Sequence, residues 1–512
     1  MAKETDVLIV GAGPTGLVLA LWLTHLGVRV RIVDKTAQPG TTSRALVMHA
    51  RILEQYDQLG LAQDVIDRSL KFEAANFWVK GRQVARAQFG DMGKGVSPFP
   101  FSIVFPQDAH EKFLVECLRS AGIEVERTTE LASFESSETG ARARLKRAGG
   151  SEETCECAYI AGCDGTHSTV REAIGAGFPG GTYNHLFYVA DVKASGPVVN
   201  RELNVALDEA DFVAMFPLVE PGHIRLIGIV RDDAARAQRE LGWDDVSKIV
   251  IERMRIAVER VNWFSTYHVH HRVAHTFRGG RAFLLGDAAH IHSPVGAQGM
   301  NTGIGDAINL SWKLAAVLRR GAADAILDTY ECERRAFALR LVRSTDFAFN
   351  FVTRDGALAR FVRLHVIPTI IPRLLSTRAG LRFMFRTLSQ TVIEYRHCDL
   401  SEGTAGRIRG GDRLPWVELD GKDNFAPLKS FEWQLHAYGE APEEIVRFCT
   451  EQGLALHRFE WREAMHAAGF ARNALYLVRP DGYVAWADPA AGVAGLAAYL
   501  ERWPGAAQRP KV

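Results

Sequence analysis

Asp6-Val-Leu-Ile-Val10-Gly11-Ala12-Gly13-Pro14-Thr15-Gly16 is the stretch that decides the fold class of this chain. Residues 6–10 form an apolar run bounded by polar residues and glycine, which reads as a buried strand. Residues 17–26 read as a helix apolar on most faces, with Gly27 at its C-cap position. Residues 28–33 read as a second strand ending in Asp34. The spacing of Gly11, Gly13 and Gly16 permits a tight turn, close approach of a pyrophosphate, and close helix–strand packing in that order. A helix N-terminus at this point presents N–H groups and a positive dipole to phosphates. Asp34 follows Gly16 by 18 residues, where a carboxylate can accept hydrogen bonds from a ribose. The glycine triplet alone would be a weak signal, but flanked by two buried strands and the acid it points to dinucleotide binding.

The rest of the composition narrows the class. A chain of 512 residues is long enough for about three domains. Lys+Arg 61 against Asp+Glu 60 leaves a net charge of +1, which argues against a nucleic-acid partner. Hydrophobic content of 47% with 24% charged residues is that of a folded globular protein with a substantial core. The seven cysteines include no Cys-x-x-Cys pair, so they read as thiols of a reducing cytosol rather than as a metal or disulfide framework. The polar N-terminus runs straight into a strand, and apolar runs such as Val366-Ile-Pro-Thr-Ile-Ile-Pro372 are broken by proline. None approaches the ~20 residues of a membrane span. A cytoplasmic protein without a membrane partner is expected.

Residues 75–100 alternate in polarity around Gly81 and read as a hairpin, followed by a helix over 109–121. Period-two alternation returns over 123–162. Strand-like runs dominate 182–275, interrupted by a helix near 246–258, and read as a separate, mostly antiparallel sheet. A strand at 281–285, a helix over 301–320 and a mainly helical region over 328–395 follow. A glycine- and arginine-rich boundary at 403–412 precedes a last segment of mixed strand and helix, with a strong turn signal at Arg479-Pro-Asp-Gly482. The histidines at 290 and 292 lack a third ligand at a recognised spacing, so no metal site is expected.

Two further motifs, Gly162-Cys-Asp164-Gly-Thr-His-Ser-Thr-Val-Arg171 and Arg281-Ala-Phe-Leu-Leu-Gly286-Asp287-Ala-Ala-His290 continuing to Ser293-Pro-Val-Gly-Ala-Gln-Gly-Met-Asn301, stand after the glycine turn. In this order the three resemble the motifs of the FAD-dependent aromatic hydroxylases, single-component flavoprotein monooxygenases of the p-hydroxybenzoate hydroxylase fold. Leu388-Ser-Gln, Tyr395-Arg and Val478-Arg-Pro-Asp-Gly-Tyr-Val-Ala-Trp486 resemble the phenol and polyketide hydroxylase branch, which ends in a thioredoxin-like domain. The resemblance implies an α/β fold: a Rossmann-like FAD-binding domain of the glutathione-reductase type (1–75, 101–181, 276–400), an inserted antiparallel substrate domain (76–100, 182–275) and a thioredoxin-like domain (403–512).

It also implies a site. Gly11, Gly13, Pro14, Thr15, Gly16, Asp34, Lys35, Arg44 and Asp164 would serve the dinucleotide, and Gln107 the ribityl chain. Asp287, after Gly286, ends a strand where a carboxylate can hold ribityl hydroxyls. Gly296 and Gly299 let backbone approach a flavin ring closely, and Met300 and Asn301 would bond its polar edge. A helix N-terminus there would stabilise negative charge on the reduced ring. Phe212, Met215, Phe216 and Pro294 are the candidate substrate residues, Pro294 and Gly286 being cofactor-binding candidates as well, and no single catalytic side chain stands out. The implied chemistry takes NADPH or NADH and dioxygen, and hydroxylates a phenolic or polycyclic aromatic through a flavin C4a-hydroperoxide in a monomer or homodimer. Baeyer–Villiger or epoxidising oxygenation is the alternative chemistry. A flavin-bound, drug-sequestering protein without turnover is the alternative of another class. Cys449 is the one cysteine of the last 110 residues, so the C-terminal domain is expected to be redox-silent.

Overall fold

The computed structural model describes residues 3–40, 45–88, 92–207, 212–230, 241–353, 366, 369–370, 372–373 and 377–507. The strand Lys3–Val10 lies between Val30–Val33 and Glu152–Gly162, parallel to both. Ala282–Leu284 extends this parallel core beyond Glu152–Gly162, and Val125–Glu126 extends it beyond Val30–Val33. The meander Thr129–Ser136, Ala141–Arg147 and Glu152–Gly162 adds antiparallel strands at one side. Residues 7–9 are wholly buried, with helices packed on the sheet. One is Pro14–His25, in which every residue from Gly16 to Leu23 is buried. Another is Gly299–Arg320, with a buried face that runs from Asn301 to Ala316.

A second eight-stranded sheet stands against the first domain. Its order is His290–Ile291, Ala257–Val273, Gly180–Ser195, His223–Ile229, Phe212–Pro217, Leu203–Leu207, Ala74–Val79 and Arg82–Gln88. Every pairing is antiparallel except that of Leu203–Leu207 with Ala74–Val79. One face packs on a short helix, Ile249–Arg253, through Val192, Met215, Leu226 and Val250. This helix is shorter than its apolar pattern predicts, since the chain turns into the long strand at Ala257. The other face looks toward the cofactor domain.

The C-terminal part forms a six-stranded sheet. Gln434–Tyr438 runs parallel to Ala455–Phe459 and antiparallel to Ala474–Val478, which pairs in turn with Val484–Asp488. Helices Glu443–Gln452 and Val493–Arg502 pack on it. No helix among the described residues is long and apolar enough to cross a membrane. One expectation is corrected here. Cys332 and Cys398 are joined by a disulfide, with Cα atoms 5.9 Å apart, where the sequence reading expected thiols. The two are 66 residues apart, and spacing along the chain does not reveal which distant cysteines meet.

Candidate functional site

The glycine turn is built by close backbone contact. Gly11 has φ +103°, and a Cβ there would lie 2.3 Å from the Cys163 carbonyl oxygen. A Cβ on Gly16 would lie 2.0 Å from the Gly11 carbonyl oxygen. Gly13 differs: a Cβ there would meet no protein atom within 4 Å, so its missing side chain serves whatever approaches from outside. Gly13 is also the N-cap of Pro14–His25, with proline in the first turn where no N–H donor is needed. Asp34 clasps this turn from the next strand. Its carboxylate accepts from the Ala12 N–H at 2.7 Å and from the Thr36 N–H at 2.8 Å, and Arg127 lies 3.6 Å away. Lys35 is exposed beside it, and Arg44 lies outside the described residues.

The Gly162–Arg171 motif runs back under the same turn. Asp164 accepts from the Val170 N–H at 3.2 Å, while its second oxygen is buried without a protein partner. Burial pushes its carboxyl above the ordinary range. Ser168 caps the helix Thr169–Ala173, and Arg171 bridges the Ala288 and Thr166 carbonyls at 3.0 and 2.8 Å. Arg171 thereby ties the second motif to the third.

The Gly286-Asp287 turn is held from below by residues the sequence reading did not identify. Gly286 has φ +59°, and a Cβ there would lie 2.7 Å from the Thr15 hydroxyl, so this turn and the glycine turn pack directly together. The Gly286 N–H donates to Asp306 at 3.0 Å, and His290 Nε2 lies 2.7 Å from the same oxygen. Arg334 donates to the other Asp306 oxygen at 2.6 Å and to the Tyr395 hydroxyl at 2.8 Å. Burial would push Asp306 up, yet Arg334 and His290 outweigh it and hold the carboxyl below its ordinary range. Asp287 itself is exposed at the tip of the turn. His290 thus belongs to this brace. Asp306 and Arg334 are 28 residues apart and match no motif, so nothing in the sequence pairs them.

The loop after His290 carries two left-handed residues in succession, Gly296 at φ +75° and Ala297 at φ +54°. The second is not glycine, so the conformation is imposed by its surroundings, a mark of functional loops. His49 holds it: Nε2 lies 2.9 Å from the Gly296 carbonyl and Nδ1 lies 3.2 Å from the Ser102 hydroxyl. Burial lowers the His49 pKa to about 4, so the ring is neutral and donates from Nε2. Asn301 is fully buried, and its side chain accepts from the His49 N–H at 2.9 Å and donates to the Val47 carbonyl at 2.9 Å. What Asn301 and the half-buried Met300 can offer a ring edge is therefore backbone N–H, which lacks intrahelical acceptors in the first turn of Gly299–Arg320. Gln107 stands at the start of its helix with its amide donating to Glu111 at 2.8 Å. A Cβ on Gly299 would meet only the His292 ring, at 4.0 Å, and Pro294 is exposed.

The sheet face opposite this loop sorts the candidate substrate residues. Along Phe212–Pro217, alternate side chains point to opposite faces. Phe212, Ala214 and Phe216 share an apolar cluster with Ala297, Leu388, Tyr267 and Phe77. Met215 lies on the other face, 1% exposed, against Leu226 and Val250. It is core and does not line the space above the loop, which corrects its place among the candidates. Phe212 and Phe216 are half-buried, on the face whose cluster includes Ala297 of the loop. Pro294 does not appear in that cluster.

This geometry fits FAD. The open space over Gly13, the helix N-terminus behind it and the partnerless buried oxygen of Asp164 suit the dinucleotide, and the exposed Asp287 suits a hydroxylated chain. Known proteins agree. A family model described as FAD binding domain matches residues 4–345, and one described as aromatic-ring hydroxylase, C-terminal, matches residues 411–507. The 6-methylpretetramide 4-monooxygenase of Streptomyces rimosus is 32% identical over 98% of this chain and 94% of its own. The dialkyldecalin synthase of Streptomyces rugosporus is 31% identical over 98% of this chain and 99% of its own. The solved structure of OxyS anhydrotetracycline hydroxylase from Streptomyces rimosus superposes with a TM-score of 0.78 at 28% identity, covering 99% of this chain and all of the other.

Proposed function

The chain belongs to the FAD-dependent aromatic-ring hydroxylases and is an FAD-dependent monooxygenase of α/β fold, and from that premise we propose that it hydroxylates a polycyclic, polyketide-like aromatic, with NADPH or NADH as reductant. The observation that carries the choice of substrate class is the half-buried aromatic face of the antiparallel sheet. Phe212, Phe216, Tyr267 and Phe77 form one apolar cluster with Ala297 of the flavin loop. A broad surface of this kind matches a multi-ring apolar body better than a single phenol ring.

Each part of the site has a role. The turn Gly11–Gly16 and the N-terminus of Pro14–His25 hold the pyrophosphate, and Asp34 holds both the turn and the adenosine ribose. Asp287 takes ribityl hydroxyls, kept in place by the Asp306–Arg334 brace under Gly286. Bound FAD supplies the redox chemistry, accepting reducing equivalents from the nicotinamide and activating dioxygen for transfer of one atom to the ring. The N-terminus of Gly299–Arg320 stabilises negative charge at the ring's polar edge. The aromatic face positions the substrate and excludes water, so no acid–base side chain has to carry the reaction. The C-terminal domain is thioredoxin-like in its strand pairing and redox-silent, since Cys449 is buried and burial pushes its thiol up to about 11.

Testing the substrate class requires purified holoenzyme, NADPH and NADH, and a panel running from single-ring phenols to naphthoquinones and tetracyclic polyketides. The expected outcome is substrate-dependent nicotinamide oxidation with a product 16 mass units heavier, strongest for the multi-ring compounds. Preference for single-ring phenols would overturn the substrate class. A second reading, that the chain is a synthase that does not oxygenate its substrate, has its footing in the synthase relative: a product of unchanged mass formed without nicotinamide consumption would favour it.

A further inference from the structure

The turn Arg479-Pro-Asp-Gly482 belongs to the C-terminal domain, yet it is buried among three helices of the cofactor domain. Arg479 is 0% exposed and donates to both Glu333 oxygens at 2.5 and 3.1 Å and to both Asp481 oxygens at 3.0 and 2.5 Å. Asp481 also accepts from Trp312 Nε1 at 3.1 Å, and its backbone carbonyl accepts from Arg51 at 2.6 Å. The Pro480 carbonyl accepts from Gln58 at 3.2 Å. Asn309 and Lys313 complete Glu333 at 2.6 and 2.9 Å.

Every one of these partners sits on an element that shapes the flavin site. Asn309, Trp312 and Lys313 lie on the helix Gly299–Arg320, whose N-terminus follows the flavin loop. Arg51 and Gln58 lie on Ala50–Gln58, directly after His49, the residue that holds Gly296. Glu333 precedes Arg334, which braces Asp306 under Gly286. The domains also meet through apolar contacts, the edge-on pairs Trp22–Phe431 and Trp312–Trp433. Adhesion alone could have been served by more of these. Buried ion pairs add little net stability over apolar packing, and their best-attested use is to fix one geometry.

We propose that Asp481 is a positioning residue for the flavin site. Through Trp312 and Arg51 it sets where the flavin-loop helix and the His49 segment stand, so the C-terminal domain completes the FAD site in addition to covering it. The inference rests on the FAD assignment and not on the choice of aromatic substrate.

The test separates positioning from general stability. Trp312→Phe removes the N–H and keeps an aromatic ring, smaller than the indole, at the same place. Asp481→Asn keeps an acceptor oxygen and removes the charge. Tyr476→Phe is the control, because it removes a 3.1 Å hydrogen bond to the Ala405 carbonyl inside the C-terminal domain. For each protein, FAD is titrated into the apoprotein, the visible circular dichroism of bound flavin is recorded, and Tm is measured. Trp312→Phe is expected to raise the FAD Kd about tenfold and alter the flavin dichroism, as loss of one charge-assisted hydrogen bond would. Asp481→Asn is expected to fall between Trp312→Phe and the parent. Tyr476→Phe is expected to lower Tm comparably and leave Kd within about twofold, since it touches no flavin-site element. An equal rise in Tyr476→Phe, or no rise in Trp312→Phe, overturns the proposal. Should Asp481→Asn fail to fold, Trp312→Phe decides alone. A parent protein that bound no FAD would instead overturn the cofactor assignment.

Discussion

The two eight-stranded sheets of this protein build their shares of the site in opposite ways. The parallel sheet presents backbone: Gly11 and Gly16 bring main chain close to main chain, Gly286 packs on the Thr15 side chain, Gly13 leaves open space for a ligand, and a helix N-terminus points at that space. The antiparallel sheet presents side chains, and what it offers depends on which alternate residue faces the flavin loop. Backbone-built sites require particular residues at particular spacings. Side-chain-built surfaces require only bulk and polarity, which many sequences satisfy. The first sheet therefore announces its ligand class, while the second announces only that its ligand is apolar.

The sharpest way to break this contrast lies within the glycine turn. Gly11→Ala should abolish folding of the cofactor domain, because a Cβ would stand 2.3 Å from the Cys163 oxygen at a φ of +103°. Gly13→Ala meets no protein atom within 4 Å and should leave the Tm of the apoprotein unchanged while FAD affinity falls more than about tenfold. Soluble expression, apoprotein Tm and FAD titration distinguish the two, and equal behaviour would refute the division of labour.

The antiparallel sheet permits the matching comparison one residue apart. Met215→Ala empties a fully packed face and should cost about 2–5 kcal/mol of stability, read as Tm or denaturant midpoint. Phe216→Ala removes a half-buried ring over the flavin loop and should raise KM for the aromatic substrate with a smaller stability loss. If Met215→Ala instead shifted KM at unchanged Tm, the assignment of the two faces would be reversed. Smaller still is the effect expected at the tip of the Gly286 turn. Asp287→Ala should weaken FAD binding by about 1.5–3 kcal/mol, the value of a charge-assisted hydrogen bond. Full FAD retention in that variant would remove Asp287 from the site. At the bottom of the scale, Cys449→Ser should leave turnover intact, because no second cysteine lies in 403–512 to resolve an exchange.

How much was legible follows the same line. The strand–turn–helix–strand unit, the antiparallel region and the turn at Pro480 are local patterns and were readable. The brace under Gly286 was not, since Asp306 and Arg334 are ordinary charged residues of two helices until packing brings them together. The role of His49 was hidden for the same reason, lying 247 residues from the carbonyl it holds. The disulfide Cys332–Cys398 shows that the absence of a Cys-x-x-Cys pair does not imply that all cysteines are thiols. Period two puts Met215 and Phe216 on opposite faces, yet both stood among the substrate candidates, because the sequence does not say which face a helix covers.

The most direct measurement is turnover of a multi-ring phenol by the purified protein under labelled dioxygen, with product mass and nicotinamide oxidation followed together. One labelled oxygen atom in the product for each nicotinamide oxidised is the predicted result. Label from water, or a product of unchanged mass, would contradict assignment of this chain as a hydroxylating monooxygenase.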